Sequence, residues 1–264
     1  MSRLLKIATA GAIAVASSAL LARVHASGTA GLNAASPRQI LSPQLGIARP
    51  ILEAKCADCH SSNTQTPVYA HFAPISWLVE RDVSEGRKAM NLSFWETYTP
   101  DQQQTYAAKI VQKTKSHEMP LPQYRLIHWS AAITPADEQI LQQWAHQEPT
   151  SAATQPTREG DPAVGRQVFE KRCTGCHSLT QDREGPHLGG VYGRPSASIH
   201  GFDYSPALAN ARIVWNESTL DHWLTDPDAA FPGNNMDFRV ARPQERKDLI
   251  AFFKAYQDRG ATAQ

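Results

Sequence analysis

All four cysteines of the chain fall in two copies of one five-residue pattern. Cys56 and Cys59 are followed at once by His60, and Cys173 and Cys176 by His177. Disulfides suit this spacing badly, because two intervening residues close a very tight ring. Two Cys pairs would supply the four thiolates of one zinc site, but that leaves the histidine after each pair without a role. Covalent haem attachment gives every residue a task. The two thiols add to the two vinyl groups of one haem, the spacer on a helical turn sets the sulfur separation, and the next histidine lies under the iron as proximal ligand. The pattern therefore predicts two covalently attached haem c groups on a chain without stray thiols.

An iron with a proximal histidine has a sixth position, and its occupant decides between electron transfer and small-molecule chemistry. Beyond Met1 the candidate sulfurs are Met90, Met119 and Met236. Met236 sits in "FPGNNMDF", a polar loop where an apolar side chain calls for a reason. Met119 lies 59 residues after His60, and Met236 lies 59 after His177. Met119 also precedes Pro120, which restricts the backbone of the residue before it. The sequence thus nominates His60 and Met119 for one iron and His177 and Met236 for the other. His71, His117 and His128 compete with Met119. Met90, at a helix end, reads as core, and His187, His200 and His222 read as solvated or structural.

The elements that must position these groups are helices, several with marked starts. Thr99 caps a helix with Pro100 first and Gln102 closing a capping box, and Thr134 with Pro135 repeats the device. "PISWLVERDVSEGRKAM" reads as a helix with Ile75, Leu78, Val79 and Val83 on its apolar side. Asp161 caps another, with Val164, Val168 and Phe169 facing inward. "RPQERKDLIAFFKAYQ" closes the chain with Leu249, Phe252, Phe253 and Tyr256 at helical spacing. No stretch alternates long enough for a half-buried strand. The expectation is an all-α protein in which haem replaces much of an ordinary core.

Residues 1–26 have the order of an export signal: a basic start, a small apolar run and "VHA" for a signal peptidase. The run is short for a membrane anchor. A cleaved signal peptide, and so a periplasmic protein, is expected. Loss of Arg3, Lys6 and Arg23 takes Lys+Arg from 26 to 23 against 25 Asp+Glu, moving the formal charge from +1 to −2. Such a chain gives no reason to expect nucleic acid or an anionic membrane surface as a partner. The domains read as 45–148 around the first motif, a Thr/Pro/Ser/Ala linker over 149–160, and 161–258 around the second.

Residues 160–257 resemble class I cytochrome c of the mitochondrial type. Gly165 and Phe169 are similar to that family's N-terminal helix residues, which pack on the C-terminal helix, here Leu249 and Phe252. The resemblance implies that the carbonyl of Pro186 accepts the hydrogen bond of the proximal histidine. It also implies that Arg194 lies near a propionate, that Tyr204 and Trp215 donate to propionates, and that Met236 is the axial ligand. Trp223 stands where an aromatic residue near the sulfur is usually Tyr, and Asn235 replaces a lysine beside the ligand. Residues 50–147 resemble a small bacterial haem-binding domain family through "CADCHSS", "APISWLVERDVSEGR" and "EMPLPQYRLIH". Together these imply two small cytochrome c-like helical haem domains joined by a flexible linker. The function expected is an electron carrier working between a redox protein donor and acceptor, with no catalytic residue assigned. The alternatives are a dihaem oxidoreductase, a peroxidase or an enzyme of sulfur-compound oxidation, with an open or displaceable site at the first haem, or an electron-transfer subunit of a larger dehydrogenase.

Overall fold

The computed structural model describes residues 41–147 and 158–261; the expected export signal and most of the expected linker lie outside them. Among the described residues there are eleven α-helices and no strand, only an isolated bridge between Pro195 and Val214. Contacts divide the chain into two units. The first takes residues up to Thr97 and Gln123–Ala132, and the second takes Tyr98–Pro122 and Ile133 onward.

The first unit is built around its haem motif. Helix α1 (Arg49–Lys55) buries Ile51 and Leu52 and ends at Cys56. Cys56 starts the single-turn helix α2 (Ala57–His60), where the amide of His60 donates to the Cys56 carbonyl at 2.9 Å. Helix α3 (Ile75–Ala89) packs on α2. The stripe it buries is Ser76, Val83 and Gly86, not the expected Ile75–Leu78–Val79–Val83 face; Ile75 and Leu78 are exposed. The reason is the close approach at Gly86. A Cβ there would stand 2.8 Å from the Cys59 carbonyl oxygen, so the residue without a side chain sets which way α3 turns.

The second unit begins with α4 (Pro100–Lys115), capped by Thr99 with the Gln102 capping box. Short α5 (Pro122–Ile127) follows in the chain and belongs, from Gln123 on, to the first unit; the second resumes with α6 (Pro135–Ala145), whose box is completed by Asp137. Helices α4 and α6 pack together and bury Ile110, Val111, Leu141 and Trp144. Helix α7 (Pro162–Val168) starts at the Asp161 cap and runs into a π-turn over Phe169–Cys173 that delivers the second motif. Three short helices follow: α8 (Pro206–Ala211), α9 (Glu217–Thr225) and α10 (Pro227–Ala230). Helix α11 (Pro243–Ala261) closes the unit by crossing α7.

That crossing is the structural keystone of the unit. Phe169 packs on Phe252 at a ring separation of 5.7 Å and edge-on to Phe253 at 6.1 Å. Burial of each such side chain contributes about 1.5–3 kcal/mol. The buried carboxylate of Asp248 accepts from the Asp161 amide at 2.8 Å, tying the start of α7 to α11. Residues Arg158 and Gly160, assigned to the linker by sequence, already lie on α11: the Arg158 amide donates to Gln244 at 2.6 Å. At Gly165 a Cβ would sit 1.9 Å from the Asp248 carbonyl oxygen, a collision with backbone. Gly165→Ala should therefore spread the helices and cost about 1–3 kcal/mol, read as a fall in the thermal midpoint of the protein. An unchanged midpoint would contradict the packing described.

Candidate haem sites

In the second unit, the motif turn places Cys173, Cys176 and His177 on one wall of a cavity with about 170 Å³ of solvent-reachable space. Pro186, Arg194, Tyr204, Trp215 and Met236 line the same cavity. All eight residues nominated by sequence for the second haem thus meet around one space, whose remaining walls are largely apolar: Leu188, Leu220, Trp223, Leu224 and Phe253.

The imidazole of His177 is fixed from behind. Its Nδ1–H donates to the Pro186 carbonyl at 2.7 Å, which assigns the tautomer and leaves Nε2 with its lone pair for a metal. Burial holds the pKa of His177 below its ordinary value, so the ring stays neutral, as a ligand must. Gly185 lies flat against the ring: a Cβ there would come within 2.1 Å of Cε1. Arg172, just before Cys173, anchors the turn. Its guanidinium reaches Asp101 at 3.0 Å and Gln104 at 2.9 Å on α4, and Glu245 at 3.5 Å on α11.

The Met236 loop is also preset. Asn234, 2% exposed, accepts the Met236 amide on its Oδ1 at 2.6 Å and donates through Nδ2 to Asp228 and to the Phe231 carbonyl. Arg194 donates to the carbonyls of Gly189 and His187, and Tyr204 packs edge-on against Phe202. His187 pairs with Asp182 at 2.8 Å, a surface role.

The first unit repeats the backing device. The Nδ1–H of His60 donates to the Met90 carbonyl at 3.2 Å, and burial again lowers the pKa of the ring. Met90 is core, as its position in the sequence suggested, yet its backbone does the orienting. Arg87 braces the segment after the motif, donating to the Ser61 carbonyl at 2.8 Å and to Thr64 at 3.0 Å. A polar group reaches the motif from the side: Tyr124 donates to Asp58 at 3.0 Å and stacks on His128, whose Nε2 is hydrogen-bonded by Tyr69. Burial raises the pKa of both Tyr69 and Tyr124. Met119 follows a left-handed residue, His117, that ends α4, and its amide returns to the Lys113 carbonyl at 3.0 Å. By contacts Met119 belongs to the second unit and His60 to the first.

The four cysteines are unpaired. Burial pushes Cys56, Cys173 and Cys176 up to about 12 and Cys59 up to about 11, so the free thiols are protonated at neutral pH. Paired thiols, a backed neutral imidazole and an apolar cleft fit covalent haem, which supplies one-electron chemistry at its iron when bound.

The comparisons with known proteins agree with this chemistry. The family described as Haem-binding domain matches residues 23–147, and the family described as Cytochrome c matches residues 162–256. The cytochrome c of Chlamydomonas reinhardtii is 42% identical over 99 residues, which is 36% of this chain and 88% of that protein. The chain belongs to the cytochrome c family. The cytochrome c2 of Blastochloris viridis is 37% identical over 115 residues, 42% of this chain and 90% of that protein. Among solved structures, cytochrome cH from Methylobacterium extorquens matches at 34% identity over 36% of this chain and 99% of that chain, with a TM-score of 0.35. This cytochrome is thus a haem-based electron-transfer protein that works with redox partners, and no helix among its described residues is long and apolar enough to cross a membrane.

Three features escaped sequence reasoning: the Met90 carbonyl behind His60, the glycines pressed on the motifs, and the Arg172 anchor. The glycines were visible as residues, but nothing local marks what they touch. Gly185→Ala should displace the His177 ring and cost about 1–3 kcal/mol. The check is the absorption spectrum and thermal midpoint of the haem-loaded protein, in which the second site weakens while the first is unchanged. Equal weakening of both sites, or of neither, would contradict the arrangement.

Proposed function

We propose that this cytochrome carries two haem c groups and relays electrons between a donor and an acceptor protein in the periplasm, after removal of residues 1–26. On this reading residues 45–148 hold the first haem through Cys56, Cys59 and His60, residues 161–258 hold the second through Cys173, Cys176 and His177, and 149–160 link them. The observation that carries the reading is the duplicated backing of the proximal histidines, His60 on the Met90 carbonyl and His177 on the Pro186 carbonyl. A chain that orients two imidazoles in the same way, each beside its own cysteine pair, has the protein half of two haem sites. Met236 would ligate the second iron and Met119 the first, and thioether ligation would raise both potentials and favour ferrous iron, which suits a relay.

Each residue around the second cavity then has a task. The indole of Trp215, the phenol of Tyr204 and the guanidinium of Arg194 would hold propionates, and the apolar walls would exclude water from the iron. A neutral His177 would hold the iron through Nε2 while its Nδ1–H stays on Pro186.

A second reading, an oxidoreductase site at the first haem, is favoured by one observation: the Asp58–Tyr124–His128–Tyr69 group beside the first motif offers the proton-handling side chains such a site needs. Ligand variants separate the two. In the oxidised full-length protein, Met119→Ala and Met236→Ala should each remove about half of the sulfur-to-iron charge-transfer absorption, and the double variant all of it. If Met119→Ala leaves that absorption unchanged while His128→Ala turns one iron high-spin, His128 is the ligand. If the wild-type protein already holds one high-spin iron that reacts with peroxide, the enzyme reading replaces the relay.

A further inference from the structure

The second unit holds a side-chain cluster that electron transfer does not use. His146 follows α6, Asp228 lies in α10 and Asp237 comes directly after Met236. One ligand-capable atom from each lies within 4.8 Å of the other two. Asp237 is 4% exposed; Lys115 meets its Oδ1, while no donor meets its Oδ2 and the carboxylate lies against the like-charged Asp228. The Nε2 of His146 is buried and equally unmet. An unsatisfied buried polar atom costs about 1–3 kcal/mol, and two facing one small space point to a group that the chain itself does not supply.

The cations present leave that demand unanswered. Lys115 reaches Asp228 at 3.4 Å and Asp237 at 3.2 Å, but through Oδ1 of each. Arg239 is held by Asp226 at 2.9 Å. Three carboxylates face two cations, so the cluster keeps one negative charge while His146 is neutral.

We propose that His146, Asp228 and Asp237 form a binding site for a divalent transition-metal ion of the zinc class, separate from the haem irons. One imidazole nitrogen with two carboxylate oxygens is a donor set that zinc accepts, and three protein ligands leave a position for water. The side chain of Lys115 is 24% exposed and reaches solvent, so it withdraws as the ion enters. Binding then replaces a single positive charge, which meets one oxygen of each carboxylate, by a double charge that also meets Oδ2 and the imidazole. The site adjoins the loop that presents Met236: Asp237 is the next residue, and Asn234 joins the Asp228 carboxylate to the Met236 amide. An ion here braces that loop through the carboxylates of Asp228 and Asp237.

The test is calorimetric titration of zinc chloride into the chelator-treated, haem-loaded protein. One ion per chain is expected. His146→Gln and Asp228→Asn should each weaken binding by about tenfold or more, the scale of losing support at a metal centre. Lys115→Met should strengthen it, because the competing ammonium is gone; this variant keeps the test valid if the others fold poorly. Binding that survives both His146→Gln and Asp228→Asn would place the ion elsewhere and overturn the proposal. So would the absence of binding in both the wild type and Lys115→Met, which would make the cluster a lysine–carboxylate brace with a proton shared between the aspartates.

Discussion

The arrangement depends on one hydrogen bond made twice: an imidazole Nδ1–H given to a backbone carbonyl. In water an imidazole tumbles and exchanges tautomers, and its lone pair has no fixed direction. Donation from His177 to Pro186 at 2.7 Å, and from His60 to Met90 at 3.2 Å, fixes both the tautomer and the direction. Carbonyls suit this task because the backbone around them is already fixed by packing. Everything near each motif serves to hold that pair of groups. Gly185 lets the chain lie on the His177 ring, and Gly86 lets α3 close on Cys59 so that its end delivers the Met90 carbonyl. The crossing of α7 and α11 through Gly165 fixes the turn from which the second motif projects.

The surroundings of the cysteines follow from the same requirement. Burial raises all four thiols, so they are protonated at neutral pH while free. The same burial lowers both histidines, which keeps them neutral. A low-dielectric cleft therefore acts on thiol and imidazole in opposite directions, and leaves both neutral. On the opposite side of the second cavity Asn234 performs for the Met236 loop what the carbonyls perform for the histidines, by using one buried amide to fix a backbone direction.

Much of this was legible in the residues. The two motifs, the Thr99, Thr134 and Asp161 caps, and the apolar face of the last helix are local signals, and the structure has each cap where the pattern put it. The eight residues nominated for the second haem line one cavity, carried by a fold whose helix crossing the sequence also marked. What was not legible depended on partners far along the chain. The buried stripe of α3 is set by contact at Gly86, so hydrophobic periodicity over Ile75–Val83 pointed to the wrong face. The grouping of α4 and α6 with the second unit is likewise a matter of distant contacts: Arg172 with Asp101 and Gln104, and Lys115 with Asp228 and Asp237. Family resemblance assigns those helices by descent, with the haem-binding match running to residue 147, and packing groups them otherwise.

The central claim is that each of the two motifs carries its own covalent haem, and mass measurement of the acid-denatured, signal-free protein tests it most directly. The account predicts a mass increase equal to two haem groups, with one on the peptide containing Cys56 and Cys59 and one on the peptide containing Cys173 and Cys176. A single haem addition, or a protein that loses all added mass on acidification, would contradict it.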